Sequence, residues 1–195
     1  MFSHYTRVLA SIPRWSVLPV IRRQYVAEHS YYVSLYVHEL LAHPAYSYMD
    51  AEWKLCALRY ALVHDVEESR MSDIPGPVKR MIKDDDKLKS VERHVFEGLD
   101  LPVPYVDDKI KKLIKAADLI DEYFYINIEM SYGNRIASRV HQQVRERLES
   151  ALLDAGVHDV LTLVEQECHD LDAGLVTLSN NDDVPVANLE SDIPF

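Results

Sequence analysis

Apolar side chains return every third or fourth residue along most of this chain, and no clear run alternates apolar with polar residues between turn signals. A period near 3.6 buries one stripe of a helix, whereas a half-buried strand needs a period of 2, so the pattern selects helices packed on helices. Only 5 glycines occur in the 195 residues. With 48% hydrophobic residues the chain can bury one substantial core, and it is too short for two ordinary domains. The expectation is an all-α, single-domain helical bundle over residues 1–178, followed by an acidic C-terminal tail over 179–195.

A formal net charge of −11 at pH 7 repels nucleic-acid backbones over most of the surface, so no direct nucleic-acid binding is expected. A small polyanionic ligand would need local cations, which makes the few clusters of Arg and Lys informative. Cys56 and Cys168 belong to no paired spacing, which argues against a zinc ribbon or a disulfide framework and for a reducing compartment. Pro13, Arg14 and Trp15 stand where a signal peptide needs an unbroken apolar run, and no 18-residue apolar stretch occurs. The expected location is the cytoplasm, with no membrane partner.

Residues 2–12 are predicted as a first helix broken at Pro13, and 13–25 as a loop carrying Pro19, Arg22 and Arg23. Residues 26–42 form a helix with Val26, His29, Val33, Tyr36, Val37 and Leu40 on one stripe, so His29 faces inward. Asp50 caps a helix predicted to run through 51–70, whose apolar face ends at Val63, just before His64, Asp65 and Glu68. SDIPGPVK at 72–79 is a second loop, and the charged run to Gly98 is a solvated helix face. A long helix after LPVP buries Ile110, Leu113, Ile114, Ala117 and Phe124, with Asp118 on or beside that stripe. Two helices, near 134–155 and 157–173, complete the bundle.

A divalent metal takes imidazole nitrogen and carboxylate oxygen, and adjacent His and Asp can both point at one ion. His-Asp occurs three times, at 64–65, 158–159 and 169–170. The dipeptide alone therefore proves little, and a single inward histidine is most often a satisfied core residue. His158-Asp159 and His169-Asp170 lie on polar helices with no carboxylate at the position that Glu68 takes after His64. His64-Asp65 ends an apolar helix, follows the inward His29 and precedes Asp118 on a third apolar helix. That joint order makes His29, His64, Asp65 and Asp118 the predicted metal ligands.

The arrangement H...HD...D, with PRW at 13–15, VAEHS at 26–30, HDVEES at 64–69, SDIPGPVK at 72–79 and KAAD at 115–118, resembles the HD-domain phosphohydrolases over residues 1 to about 130. Within them the chain is similar to the small bacterial HD-domain 5'-deoxynucleotidases and to the phage dATP triphosphohydrolases. The resemblance implies an HD-type bundle and a divalent cation, with Co, Mn, Zn and Mg all open. It further implies hydrolysis of a 2'-deoxynucleotide at the α-phosphorus: either dATP to deoxyadenosine and triphosphate, with dADP and dAMP cut at the same ester, or deoxynucleoside monophosphates alone. A homodimer or larger homo-oligomer follows from the same resemblance, and the host cytoplasm if the gene is a phage's.

The resemblance also implies residue roles. Glu68, one turn after His64, would orient or deprotonate the attacking water. Asp73 would bond near the sugar 3'-hydroxyl or the leaving oxygen. Arg14 and Lys79 would hold phosphate oxygens, with Arg22, Arg23, Arg80 and Lys83 as weaker candidates for distal phosphates. Trp15 would pack against C2' and leave no room for a 2'-hydroxyl, while Val17, Ile74 and Pro77 would form an apolar slot for the base.

The last residues, ESDIPF, resemble the acidic tip of bacterial single-stranded DNA-binding proteins, which docks on replication and repair proteins. Asp192, Ile193, Pro194 and Phe195 would make such a contact: Phe195 in an apolar pocket with its carboxylate on an arginine, and the acidic residues on a basic rim. A solubilising tail is the other reading of this segment.

Overall fold

The computed structural model describes residues 5–82, 86–98 and 104–178, excluding a few side chains among them, such as those of Pro77 and Arg80. Lys83 and the tail with Asp192, Ile193, Pro194 and Phe195 lie outside the described residues. In chain order the helices are α1 (Tyr5–Val8), α2 (Val26–Leu40), α3 (Ala51–Ala61), α4 (Glu68–Met71), α5 (Gly76–Ile82), α6 (Asp86–Gly98), α7 (Asp108–Ser131), α8 (Ala137–Ala155) and α9 (Val160–Leu178). Among the described residues the sole strand-like pairing is an isolated antiparallel bridge between Pro13 and Tyr25, so the all-α expectation holds.

The core is built around α7, which packs most extensively on α8 and then on α2. Ile110, Leu113, Ala116, Ala117, Leu119, Ile120, Tyr123 and Ile126 are buried, so apolar residues surround much of α7, and Asp121, Glu122 and Glu129 are buried among them. Val33, Val37 and Leu40 of α2, and Val144, Leu148 and Leu152 of α8, fill the grooves on either side. Asp107 begins α7 by accepting from the Ile110 amide at 2.7 Å, and its other oxygen takes the Trp53 indole N–H at 2.8 Å, which ties α3 to the same helix. Gly156 ends α8 with φ +77°, a left-handed conformation that glycine adopts without penalty.

Two details depart from expectation. The helix predicted through 51–70 stops at Ala61, and residues 62–67 form successive turns before α4. Successive residues of a straight helix point about 100° apart, so a continuous helix could not aim His64 and Asp65 at one point; the turns bring His64 Nε2 within 3.3 Å of Asp65 Oδ2. The charged segment near 90 is also not wholly solvated. Val95 and Phe96 of α6 are half-buried against Leu9, Ile12, Val26 and Val66, a small second core beneath the start of α2.

Candidate active site

Three separate parts of the chain converge on one point. His29, from the first turn of α2, lies with its Nε2 3.5 Å from Asp65 Oδ2 and 3.4 Å from Asp118 Oδ1 of α7. His64 comes from the turns after α3, and its ring centroid is 5.3 Å from that of His29. Ligand atoms of His29, His64 and Asp65 lie within 4.8 Å of one another, and Asp118 stands against His29 outside that group. The structure thus gathers three of the predicted ligands and sets the fourth, Asp118, beside them.

The outward nitrogens of both rings are committed elsewhere. His29 Nδ1 is 2.6 Å from Asp121 Oδ2, and His64 Nδ1 is 2.7 Å from the Ala61 carbonyl. Both acceptors call for the proton on Nδ1, which leaves the Nε2 lone pairs free, and both Nε2 atoms are buried without a hydrogen-bond partner. Two buried, unpartnered imidazole nitrogens beside two carboxylates fit a divalent cation, and an acceptor behind each histidine is the usual support for a metal-bound ring.

Without a cation the histidines and carboxylates answer one another. Burial works against charge on His64, yet the Asp65 carboxylate outweighs it and pushes the ring up to about 9. Burial likewise opposes ionisation of Asp65 and Asp118, but His64 holds Asp65, and Lys115 holds Asp118, below the usual carboxylate range. Lys115 Nζ lies 2.6 Å from Asp118 Oδ2. Glu68 is different: burial, reinforced by Asp65 and Asp73, raises it to about 9.

A cavity of about 310 Å³ opens over this cluster. Asp65, Asp118 and Glu68 form its floor, Asp73, Ile74 and Lys79 one rim, Arg14, Trp15 and Val17 another, and α8 the far wall with Val140, Gln143 and Arg147. Nine of the twelve predicted site residues are therefore on its walls; His29 and His64 stand beside Asp65 without lining it, and the side chain of Pro77 lies outside those described. Lys79 Nζ is 3.9 Å from Glu68 Oε1, and Glu68 Oε2 has no hydrogen-bond partner.

The loop 13–25 is fastened at its ends and in its middle. Its ends are closed by Arg14 N to Gln24 O at 2.9 Å and Val26 N to Ile12 O at 3.0 Å. Its middle is fastened to α7, where the wholly buried Glu129 carboxylate accepts from the Ile21 and Arg22 amides at 2.7 and 2.8 Å. Trp15 stacks on Tyr125 with centroids 5.1 Å apart, donates to Gln24 Oε1 at 3.1 Å and has φ +62°, an uncommon backbone for a bulky residue. Arg14 is also committed: Nη1 lies 3.2 Å from Asp121 and contacts His29, and Nη2 lies 3.7 Å from Asp118.

The other His-Asp pairs stand apart. His158 faces Glu149 at 3.5 Å, Asp159 pairs with His43 at 3.0 Å, and the exposed His169 touches only its neighbour Asp170 among these groups. Three contributors were not singled out from sequence. Asp121 had a signal, since it follows Asp118 by three residues and so shares its face of α7. Glu129 and the Glu122–Arg147 pair on the α8 wall, 2.7 Å apart, gave none, because each acts through partners distant in the chain.

Against known proteins, a family profile described as 5'-deoxynucleotidase YfbR-like matches residues 1–166. The chain belongs to the YfbR-like 5'-deoxynucleotidase family. It is thereby a hydrolase of the HD-domain type. YfbR-like relatives named 5'-deoxynucleotidase YfbR, from Escherichia coli K12 and from Escherichia coli O157:H7, are each 30% identical over 151 residues, which cover 68% of this chain and 74% of theirs. A solved HD phosphohydrolase of cyanophage S-2L, DatZ, described as bound to dA and one catalytic Zn2+ ion, is 25% identical with a TM-score of 0.62, covering 87% of this chain and 98% of its own. No helix among the described residues is long and apolar enough to cross a membrane.

Proposed function

We propose that this enzyme hydrolyses 2'-deoxynucleotides at the α-phosphorus, with dATP cut to deoxyadenosine and triphosphate, and dADP and dAMP cut at the same ester. The observation that carries the reading is the pair of buried, unpartnered Nε2 atoms set beside two carboxylates at the floor of a cavity with cationic and apolar walls. The names of the relatives support the same substrate class.

His29, His64, Asp65 and Asp118 would hold the cation, which would polarise the phosphoryl oxygens and make a nearby water more acidic. Glu68, in its ionised form, takes a proton from the attacking water as that water's oxygen bonds to the α-phosphorus. Burial, Asp65 and Asp73 raise the metal-free carboxyl to about 9, so this role requires the positive charge of the cation to lower it. The bond from phosphorus to the 5'-oxygen breaks and that oxygen leaves as the nucleoside hydroxyl, taking a proton from solvent, while Asp73, whose carboxyl burial also raises, bonds to the sugar hydroxyl or the departing oxygen. Lys79 and the Nη2 edge of Arg14 face the phosphate oxygens. Trp15, locked by Tyr125 and Gln24, excludes a 2'-hydroxyl, and Val17 and Ile74, with Pro77 beside them in sequence, receive the base.

The second reading is a 5'-deoxynucleotidase confined to monophosphates, favoured by the names of the Escherichia coli relatives. One experiment separates them: metal-free protein is supplied with Mn, Co, Zn or Mg, incubated with dATP, dAMP, ATP and dGTP, and the products are resolved by chromatography. Triphosphate and deoxyadenosine from dATP support the first reading. Turnover of dAMP without turnover of dATP replaces it with the second.

A further inference from the structure

A second, smaller cavity of about 150 Å³ meets the first at the metal-ligand cluster. It is lined by Tyr60 of α3, His64, and Lys111, Ile114, Lys115 and Asp118 of α7. Lys115 and Asp118 line both cavities, so the two adjoin at those side chains. We propose that this cleft between α3 and α7 is the seat of the β- and γ-phosphates of a nucleoside triphosphate, with Lys111 and Lys115 as its cations.

The inference rests on the main cavity being the nucleotide site. With the nucleoside between loop 13–25 and α8 and the α-phosphate at the His/Asp cluster, Lys115 and Asp118, common to both cavities, give the remaining phosphates a path from the cluster toward Lys111. Lys111 and Lys115 are four residues apart on one helix, hence neighbours on one face, and they concentrate positive charge in a molecule whose net charge is −11.

The side chain of Lys115 is half-exposed, so its ammonium can swing from Asp118 to a phosphate once a cation neutralises that carboxylate. Lys111 has no carboxylate partner among the described residues. Of the cations expected from sequence, Arg14 is tied to Asp121 and Gln24 and Arg22 to Glu28, while Lys79 lies on the main cavity beside Glu68. His64, which also lines the cleft, has a buried Nε2 with no hydrogen-bond partner 3.3 Å from Asp65 Oδ2, and this marks the end next to the cation.

The test uses the full chain loaded with zinc and freed of excess metal, titrated calorimetrically with inorganic triphosphate and with orthophosphate. Wild-type protein should bind triphosphate more tightly. Lys111→Gln should weaken triphosphate binding about fivefold at low ionic strength and change orthophosphate binding much less, while Lys111→Arg keeps the affinity. Lys112→Gln, which removes the same charge one residue away on a side chain paired with Asp108, should alter neither. Equal losses in Lys111→Gln and Lys112→Gln, no loss in Lys111→Gln, or triphosphate binding no tighter than orthophosphate would each overturn the subsite. Because no nucleotide is present, failure of the enzyme to cleave dATP would end the functional reading without deciding this measurement.

Discussion

His29 presents Nδ1 to the Asp121 carboxylate at 2.6 Å and leaves its other nitrogen, wholly buried, without a hydrogen-bond partner. Asp121 also takes Gln24 Nε2 at 2.7 Å and Arg14 Nη1 at 3.2 Å, so one carboxylate orients the proposed ligand His29 and two residues of loop 13–25. Asp121→Ala should therefore weaken zinc binding about 10- to 100-fold although Asp121 need not touch the ion. Competition with a chromophoric chelator measures this. Wild-type affinity in a folded variant would show that His29 is held by packing alone.

The four ligands and Glu68 are expected to separate cleanly. His64→Ala and Asp65→Ala should lose both metal and turnover, whereas Glu68→Gln should keep about one equivalent of metal and lose roughly a hundredfold or more in rate. Elemental analysis beside product chromatography reads both. Stoichiometric metal in Asp65→Ala would remove that residue from the ligand set.

Trp15 combines a left-handed backbone with two side-chain anchors, so its indole cannot move aside for a bulkier sugar. Trp15→Ala should raise the rate on AMP relative to dAMP, by roughly tenfold if the indole is the whole steric block. An unchanged ratio in protein of normal stability would make the tryptophan a structural anchor of the loop.

How much of this was legible in the sequence follows from the range of each interaction. The stripes of α2 and α7 were readable because burial on a helix repeats every three or four residues, and they placed His29 and Asp118 on inward faces. The turns at 62–67 were not, since their local composition continues a helical pattern and nothing in it marks the break. Glu67, the neighbour of Glu68, is buried in these turns. Loop 13–25 was recognised as unusual from Pro13, Arg14 and Trp15. Its fastening was not, because it depends on Glu129, more than a hundred residues away, whose carboxylate caps the amides of Ile21 and Arg22.

That fastening can be cut. Glu129 accepts two backbone amides and Asn134 Nδ2 at 2.6 Å in a site with no access to water. Glu129→Ala strands those donors and should cost about 2–4 kcal/mol in denaturant unfolding, and Glu129→Gln less, since one oxygen still accepts. Loosening should also expose Arg22 and Arg23 to trypsin. Resistance equal to wild type would place the rigidity of the loop in the Trp15–Tyr125 stack instead.

The ionisable groups around the ligands predict how stability follows pH once metal is removed. In the metal-free protein Asp65 raises His64 to about 9 against the opposing effect of burial, so its contribution is complete below the ordinary imidazole range and is lost as pH rises through about 9. Glu68, raised to about 9 by burial, Asp65 and Asp73, and Glu67, raised to about 7 mainly by burial, act with the same sign, because both must ionise in place at alkaline pH. Asp65 and Asp118 have the opposite sign, but their carboxyls are held low and matter only as pH falls below about 4. The Tm of chelator-treated protein should therefore fall between about pH 5 and pH 9. Zinc binding displaces the proton of His64, so zinc affinity should rise with pH, by up to about tenfold per unit while that proton remains to be displaced. The gap in Tm between zinc-loaded and metal-free protein should widen over the same interval. Scanning calorimetry of both forms at constant ionic strength, with zinc affinity measured by chelator competition at each pH, supplies the test. A metal-free Tm that climbs over this range, with zinc affinity independent of pH, would mean that His64 is neutral before the metal arrives and that Asp65 does not govern its charge.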